Sequence, residues 1–128
     1  MSNMLERGSH WLSDQIDYYA ASSVLYQRGS LTVPVQAAKG RTTFELANTS
    51  GILVQIESRD FLISAANLTL DEMPILPEVG DRINETIGSK LHAYEVSHFG
   101  AEQCYRYCDP YRYKLRVHTR YIGVIVSL

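Results

Sequence analysis

Cys104 and Cys108 stand four positions apart, with His98 and His118 close enough in sequence to join them. Two thiolates and two imidazoles converging at ~2.0–2.3 Å would make a zinc site. The spacing argues against it. The cysteines are one residue further apart than in the common knuckle, and four residues of extended chain span ~13 Å. That is too far for shared ligation, or for a disulfide limited to ~7 Å between Cα atoms. Two reduced cysteines and no metal are the expectation.

Other chemistry is no better supported. The chain has no Gly-x-Ser-x-Gly elbow, no Gly-rich phosphate loop and no His-Glu-x-x-His pair. Its four histidines (His10, His92, His98, His118) and 14 acidic residues show no spacing that proposes a site. Asp71-Glu72 is a paired acidic step in a loop and reads as solvated. Neither catalysis nor a cofactor is expected.

The remaining candidate is the stretch YRYCDPYRYKLRVHTR, residues 105–120, where basic and aromatic residues interleave. Alternate residues of a strand share a face. From Arg112 onward one face carries Arg112, Lys114, Arg116, His118 and Arg120, and the other Tyr113, Leu115, Val117, Thr119 and Tyr121. The tyrosines fall with the apolar residues, as core or rim, which weakens a base-stacking platform. The basic row remains open to three readings: phosphate contact without sequence preference, an acidic protein surface, or protection of a strand edge from aggregation.

Charge is distributed unevenly around a net of −2. Residues 57–95 hold Glu57, Asp60, Asp71, Glu72, Glu78, Asp81, Glu85 and Glu95 against Arg59, Arg82 and Lys90. Residues 105–120 hold Arg106, Arg112, Lys114, Arg116 and Arg120 against Asp109 alone. Opposite poles on a small chain suit head-to-tail self-association, and scattered solvated charge is the plain alternative. Asp71, Glu72, Glu78, Asp81 and Glu85 are the candidate acidic partner surface. No run reaches the roughly 18 apolar residues of a membrane span, and MSNMLERGSHWLSDQ lacks the apolar centre of a signal peptide. A cytosolic setting without membrane contact is expected.

The elements that must carry these residues are short. At 128 residues, one domain is expected. Residues 1–9 read as a flexible N-terminus. Trp11, Leu12, Gln15, Ile16 and Tyr19 share a side at helical spacing, predicting an amphipathic helix over 10–21 with Ser9 as N-cap. The period then changes to two. SVLYQR and LTVPVQA flank a turn through Arg28-Gly29-Ser30, and Pro34 assigns the second strand to an edge or bulge. TTFEL, ILVQIES and DFLIS follow, separated by ANTSG and SRD, and AANLTLDEMPILPEVG reads as a long loop. DRINETI, KLHAYEVSH and YRYKLRVHTRYIGVIV complete seven or eight strands. Regular short strands predict a mainly β fold, an antiparallel barrel or sandwich over 23–126.

The ordered series VLYQRG, RDFLISAANLTL, LPEVGDRI, AYEV, DPYRYKLRVHT and YIG resembles the small head-tail joining (head-closure) proteins of tailed bacteriophages and prophages. The resemblance spans residues 10–122. It implies a short N-terminal helix, a β-barrel and a homo-oligomeric ring, six- or twelve-fold, in the virion neck. Such a ring lies between the portal or adaptor side and the tail, assembles in the host cytoplasm, and passes double-stranded DNA without reading it. A tail-completion protein, or a small barrel binding nucleic acid through its basic strand, is the alternative. RDFLISAANL resembles the family's strand into a loop. PEVGDRI resembles its turn, with Pro77, Gly80 and Asp81, and Asp109-Pro110 opens the closing strand. One departure is Tyr105-Arg106 and Cys108, where the family has Trp-Arg and a serine; the cysteine replaces a small polar residue. The family offers no catalytic residues.

Overall fold

The computed structural model describes residues 22–125. The N-terminal segment and the helix expected over 10–21 lie outside the described residues. Within them the chain runs β1 (Ser22–Arg28), β2 (Leu31–Ala47), β3 (Leu53–Ser64), a 3-10 turn (Ala65–Asn67), β4 (Thr69–Leu70), β5 (Met73–Pro74), β6 (Arg82–Ile87), β7 (Lys90–Val96), β8 (Tyr105–Tyr107) and β9 (Lys114–Ile125). Seven strands form one antiparallel sheet in the order β3-β2-β1-β6-β7-β9-β8, and β4 and β5 form a separate two-stranded ladder. β3 also pairs with β9, so six of the strands run in a closed circuit. That closure removes most of the edges an open sheet would leave exposed.

Period-two patterning builds the interior. Val24 and Tyr26 of β1, Val35 and Ala37 of β2, Phe61 and Ile63 of β3, and Leu115 and Val117 of β9 alternate inward, with Ile83, Val96, Leu68 and Cys104 beside them. Phe61 packs edge-on against Tyr94 at 5.1 Å between ring centres. Burying each large apolar side chain here contributes about 1.5–3 kcal/mol.

Two boundaries differ from the sequence reading. LTVPVQA and TTFEL are one 17-residue strand, and ILVQIES and DFLIS are one 12-residue strand. The polar interruptions Lys39-Gly40-Arg41 and Ser58-Arg59-Asp60 are not turns, because they pair with each other across β2 and β3. Pro34 pairs with Leu25 in the half of β2 that has β1 as its strand partner, so its missing N–H costs no second ladder. The loop 65–80 contains the β4–β5 ladder, whose tight turn holds Asp71 and Glu72 at φ 51 and 65.

β2 and β3 outrun the barrel. β3 pairs with β9 over Arg59–Ser64, whereas Leu53–Ser58 pairs with β2 alone. The distal halves therefore project as a two-stranded arm. Its tip is tied by the Asn48 side chain, which accepts from the backbone N–H of Ser50 at 2.9 Å and of Ile52 at 3.0 Å.

Candidate assembly surface

The basic row is not presented as a row. β9 starts at Lys114, and Arg112 sits before it in a loop with φ 62. Asp109 causes the delay. Its carboxylate accepts backbone N–H groups from Tyr111, Tyr113 and Lys114, each at 3.0 Å, and holds the chain in a turn that strand parity does not anticipate. β9 is then covered on both faces. Lys114 and His118 are 2% and 3% exposed, with the Lys114 ammonium 3.2 Å from the Ser64 hydroxyl. An outer face that is basic throughout is therefore corrected: only Arg120 of the strand members is freely exposed, and it pairs with Glu95 at 3.3 Å.

Arg116 and His118 converge on Asp60, a residue sequence reasoning did not single out. Asp60 is directly opposite His118 across the β3–β9 ladder and opposite Gly40 across β2–β3. It is fully buried. Its carboxylate accepts from Arg116 Nη1 at 2.7 Å, Ser58 Oγ at 2.5 Å and the Thr42 hydroxyl, and lies 2.9 Å from His118 Nδ1. Gly40 makes room: a Cβ there would stand 3.2 Å from the Arg116 guanidinium as it crosses β2. Burial alone would raise the Asp60 carboxyl, but hydrogen bonds from His118, Ser58, Thr42 and Arg116 outweigh it and hold it well below the usual carboxylate range. The His118 ring is further capped by the edge of Phe44, which stacks on Phe99 at 5.1 Å. The group is a fixed-charge clamp joining three strands. Serine and aspartate both lie against Nδ1 of the same buried imidazole, which is not a nucleophile–base–orienter relay.

A second clamp sits under the PEVGD turn. Asp81 accepts from Arg28 Nε at 2.9 Å and Nη2 at 2.8 Å, from the Glu78 N–H at 3.0 Å, and from the Tyr26 hydroxyl. Burial would raise its carboxyl; Arg28, Tyr26 and the Glu78 amide together lower it. Burial and the carboxylate push the Tyr26 phenol above its ordinary range. Gly80, with φ 97, supplies the left-handed step, and Pro77 is buried, its carbonyl 3.5 Å from the Cys104 thiol. Pro110 is exposed beside Asp109.

The acidic partner surface divides accordingly. Asp81 and Glu85 are 4% and 2% exposed, and Glu85 pairs with Lys39 at 2.8 Å, so neither faces a neighbour. Asp71, Glu72 and Glu78 are exposed. The metal reading is not assembled either. Cys104 is buried in the main core, Cys108 is exposed at the far end of β8, and His98 Nδ1 lies 3.2 Å from its local Gly100 carbonyl. Among the described residues no three His, Cys, Asp or Glu side chains come together to hold a metal ion.

What is exposed and unusual is apolar. Ile52 and Leu53 at the arm tip are 62% and 68% exposed, with Val54 and Ile56 at 40% and 37%. A contiguous aliphatic run on a projecting ribbon is a surface that a soluble monomer does not ordinarily display. On the barrel side of the arm, Leu46, Ile56 and Phe99 border a groove of about 510 Å³. The arm is seated by Leu46 against Gly100, whose φ of 64 and missing Cβ allow the approach. The run GILVQI carried the signal in sequence, as five apolar or small residues where alternation lapses.

A family model described as phage head-tail joining protein matches residues 2–125. No curated protein matches the chain.

Proposed function

We infer that this chain, which belongs to the phage head-tail joining protein family, does its joining as a ring subunit of the neck. The barrel, clamped by Asp60 and Asp81, is the rigid body; copies of it surround the channel in a six- or twelve-fold ring between the portal or adaptor side and the tail. Double-stranded DNA passes without being read. The observation that carries this reading is the apolar arm tip, Ile52 to Ile56, standing off a barrel whose buried aspartates, Asp60 and Asp81, are each paired internally. Aliphatic side chains offer nothing to phosphates, so the arm suits a neighbouring protein ring. The head-closure role is preferred to tail completion on the resemblance of the ordered motifs alone.

The test is Ile52→Asp with Leu53→Asp in the producing phage. Filled heads and free tails should accumulate separately by electron microscopy, while the purified variant keeps its β circular dichroism. Normal tailed particles from the folded variant would overturn the assignment of the arm.

A further inference from the structure

One surface is left once the arm tip is given to a neighbouring ring. Beyond the Arg59–Thr119 pair, β3 leaves with β2 and β9 leaves with β7, so the sheet forks. Each strand presents an edge without a strand partner to the fork, the feature through which a further segment is commonly received. A cleft of about 450 Å³ opens there, lined by Lys39, Arg41, Arg59 and Arg120 together with Tyr121 and one acid, Glu57. Lys39 is committed to buried Glu85. Arg41 and Arg120 hold Glu57 and Glu95 at 3.4 and 3.3 Å in solvent-exposed pairs, which exchange partners at little cost. Arg59 has the Tyr94 ring 5.8 Å away and, among the described residues, no carboxylate. Just past Arg120 the apolar groove under the arm begins.

The complement lies elsewhere on the same chain. The two-residue turn between β4 and β5 holds Asp71 and Glu72 both in left-handed backbone, the geometry of a tight hairpin that directs its central residues outward. Both are exposed, and Met73 and Leu76, 65% and 46% exposed, follow them. Among the described residues neither carboxylate is in an ion pair. The order is acid, acid, apolar; the fork offers cations, then an apolar groove. The turn follows the end of β3 at Ser64, whereas the fork opens at Ser58, ~20 Å back along the strand. The two features therefore serve different contacts of one subunit.

We propose that the Asp71-Glu72-Met73 turn of one copy seats in the Arg59–Arg120 fork of the next. The contact is heterologous, so its repetition closes a ring if the rotation per step allows. It rests on the reading of this protein as a ring subunit.

The test uses two charge-reversed full chains, Asp71→Lys/Glu72→Lys and Arg59→Glu/Arg120→Glu, in sedimentation velocity over a concentration series. Wild type should self-associate, more weakly as salt rises. Each reversed chain alone should associate about tenfold or more less tightly, because like charges then meet. Their equimolar mixture should recover association, since each remaining pairing is again complementary. A mixture no better than its components, reversed chains that associate like wild type, or a wild type that stays monomeric would each overturn the contact. Binding of labelled duplex DNA that the arginine reversal alone abolishes, with self-association untouched, would assign the fork to a polyanion and overturn it too. Should a reversed chain fail to fold, Asp71→Asn/Glu72→Gln and Arg59→Gln/Arg120→Gln give the same comparison with smaller changes. Joining of heads to tails in an extract lacking the protein, restored by wild type, separates the two claims. Joining with a failed swap removes this contact only; no joining removes the neck role.

Discussion

The first half of β9 and the distal half of β3 are both paired β-strands, yet they treat charge and apolar surface in opposite ways. Over Lys114–Thr119, β9 buries an ammonium and an imidazole and ties a guanidinium to Asp60. Over Leu53–Ile56, β3 leaves three aliphatic side chains in solvent. The difference is coverage. β9 lies between β3 on one side and β8 on the other, with Phe44 and Phe99 over its outer face, whereas distal β3 has β2 alone. In the wall, charge specifies which strands meet; on the arm, apolar surface specifies what the protein meets.

The sharpest way to break this contrast is at the wall. Asp60→Ala leaves the Arg116 and His118 side chains without their anion, and should cost about 3–5 kcal/mol in urea unfolding. A loss below ~1 kcal/mol would show that the clamp is not structural. Asp81→Asn keeps the shape but removes the charge facing Arg28, and should cost about 2 kcal/mol by the same measurement.

Acid titration sharpens the same point. Both carboxyls titrate below their ordinary value in the folded chain. Their contribution is therefore full above the unfolded value of about 3.9 and is lost as pH falls toward the folded one. Wild-type stability should decline below about pH 4, more steeply than that of Asp81→Asn, and the gap between them should narrow in acid. Parallel profiles would exclude the linkage.

Smaller effects belong to the junction and the arm. Gly100→Ala forces a left-handed alanine against Leu46 and should cost about 1–2 kcal/mol, detected as a lower urea midpoint. Leu53→Ser at the tip should change stability by no more than about 0.5 kcal/mol while reducing joining. If it destabilises like a core substitution, the tip is packed and the contrast fails.

The strand pattern was legible because inward residues such as Phe61, Ile63, Leu115 and Val117 keep period two through the core. The turn at Gly29-Ser30 was legible from glycine placement, and the turn at Gly80 from the resemblance of PEVGDRI. The clamps were not. Asp60 and Arg116 lie 56 residues apart, Arg28 and Asp81 53 apart, and nothing local marks an aspartate as buried. Ser58-Arg59-Asp60 looked like a break because polar residues usually punctuate strands; here Asp60, with Ser58 bonded to it, meets the Arg116 cation brought by β9, while Arg59 turns to the Tyr94 ring. The basic row was misjudged for the same reason, since parity says which residues share a face but not whether that face is covered.

Closure of the barrel by the last strand also has a consequence for how the protein is made. Ser64 meets Lys114 and Arg59 meets Thr119, so the closing ladder joins segments 50 to 60 residues apart. Such high contact order slows folding, since long loops must close before the pairing that rewards them. During synthesis β3 and the arm leave the ribosome well before β9, exposing Phe61 and Ile63 on one side and Ile52 to Ile56 on the other. The nascent chain therefore passes through an interval in which this apolar strand is open on both faces. Expression at low temperature or with a holdase chaperone addresses that interval, whereas stabilising the finished barrel does not.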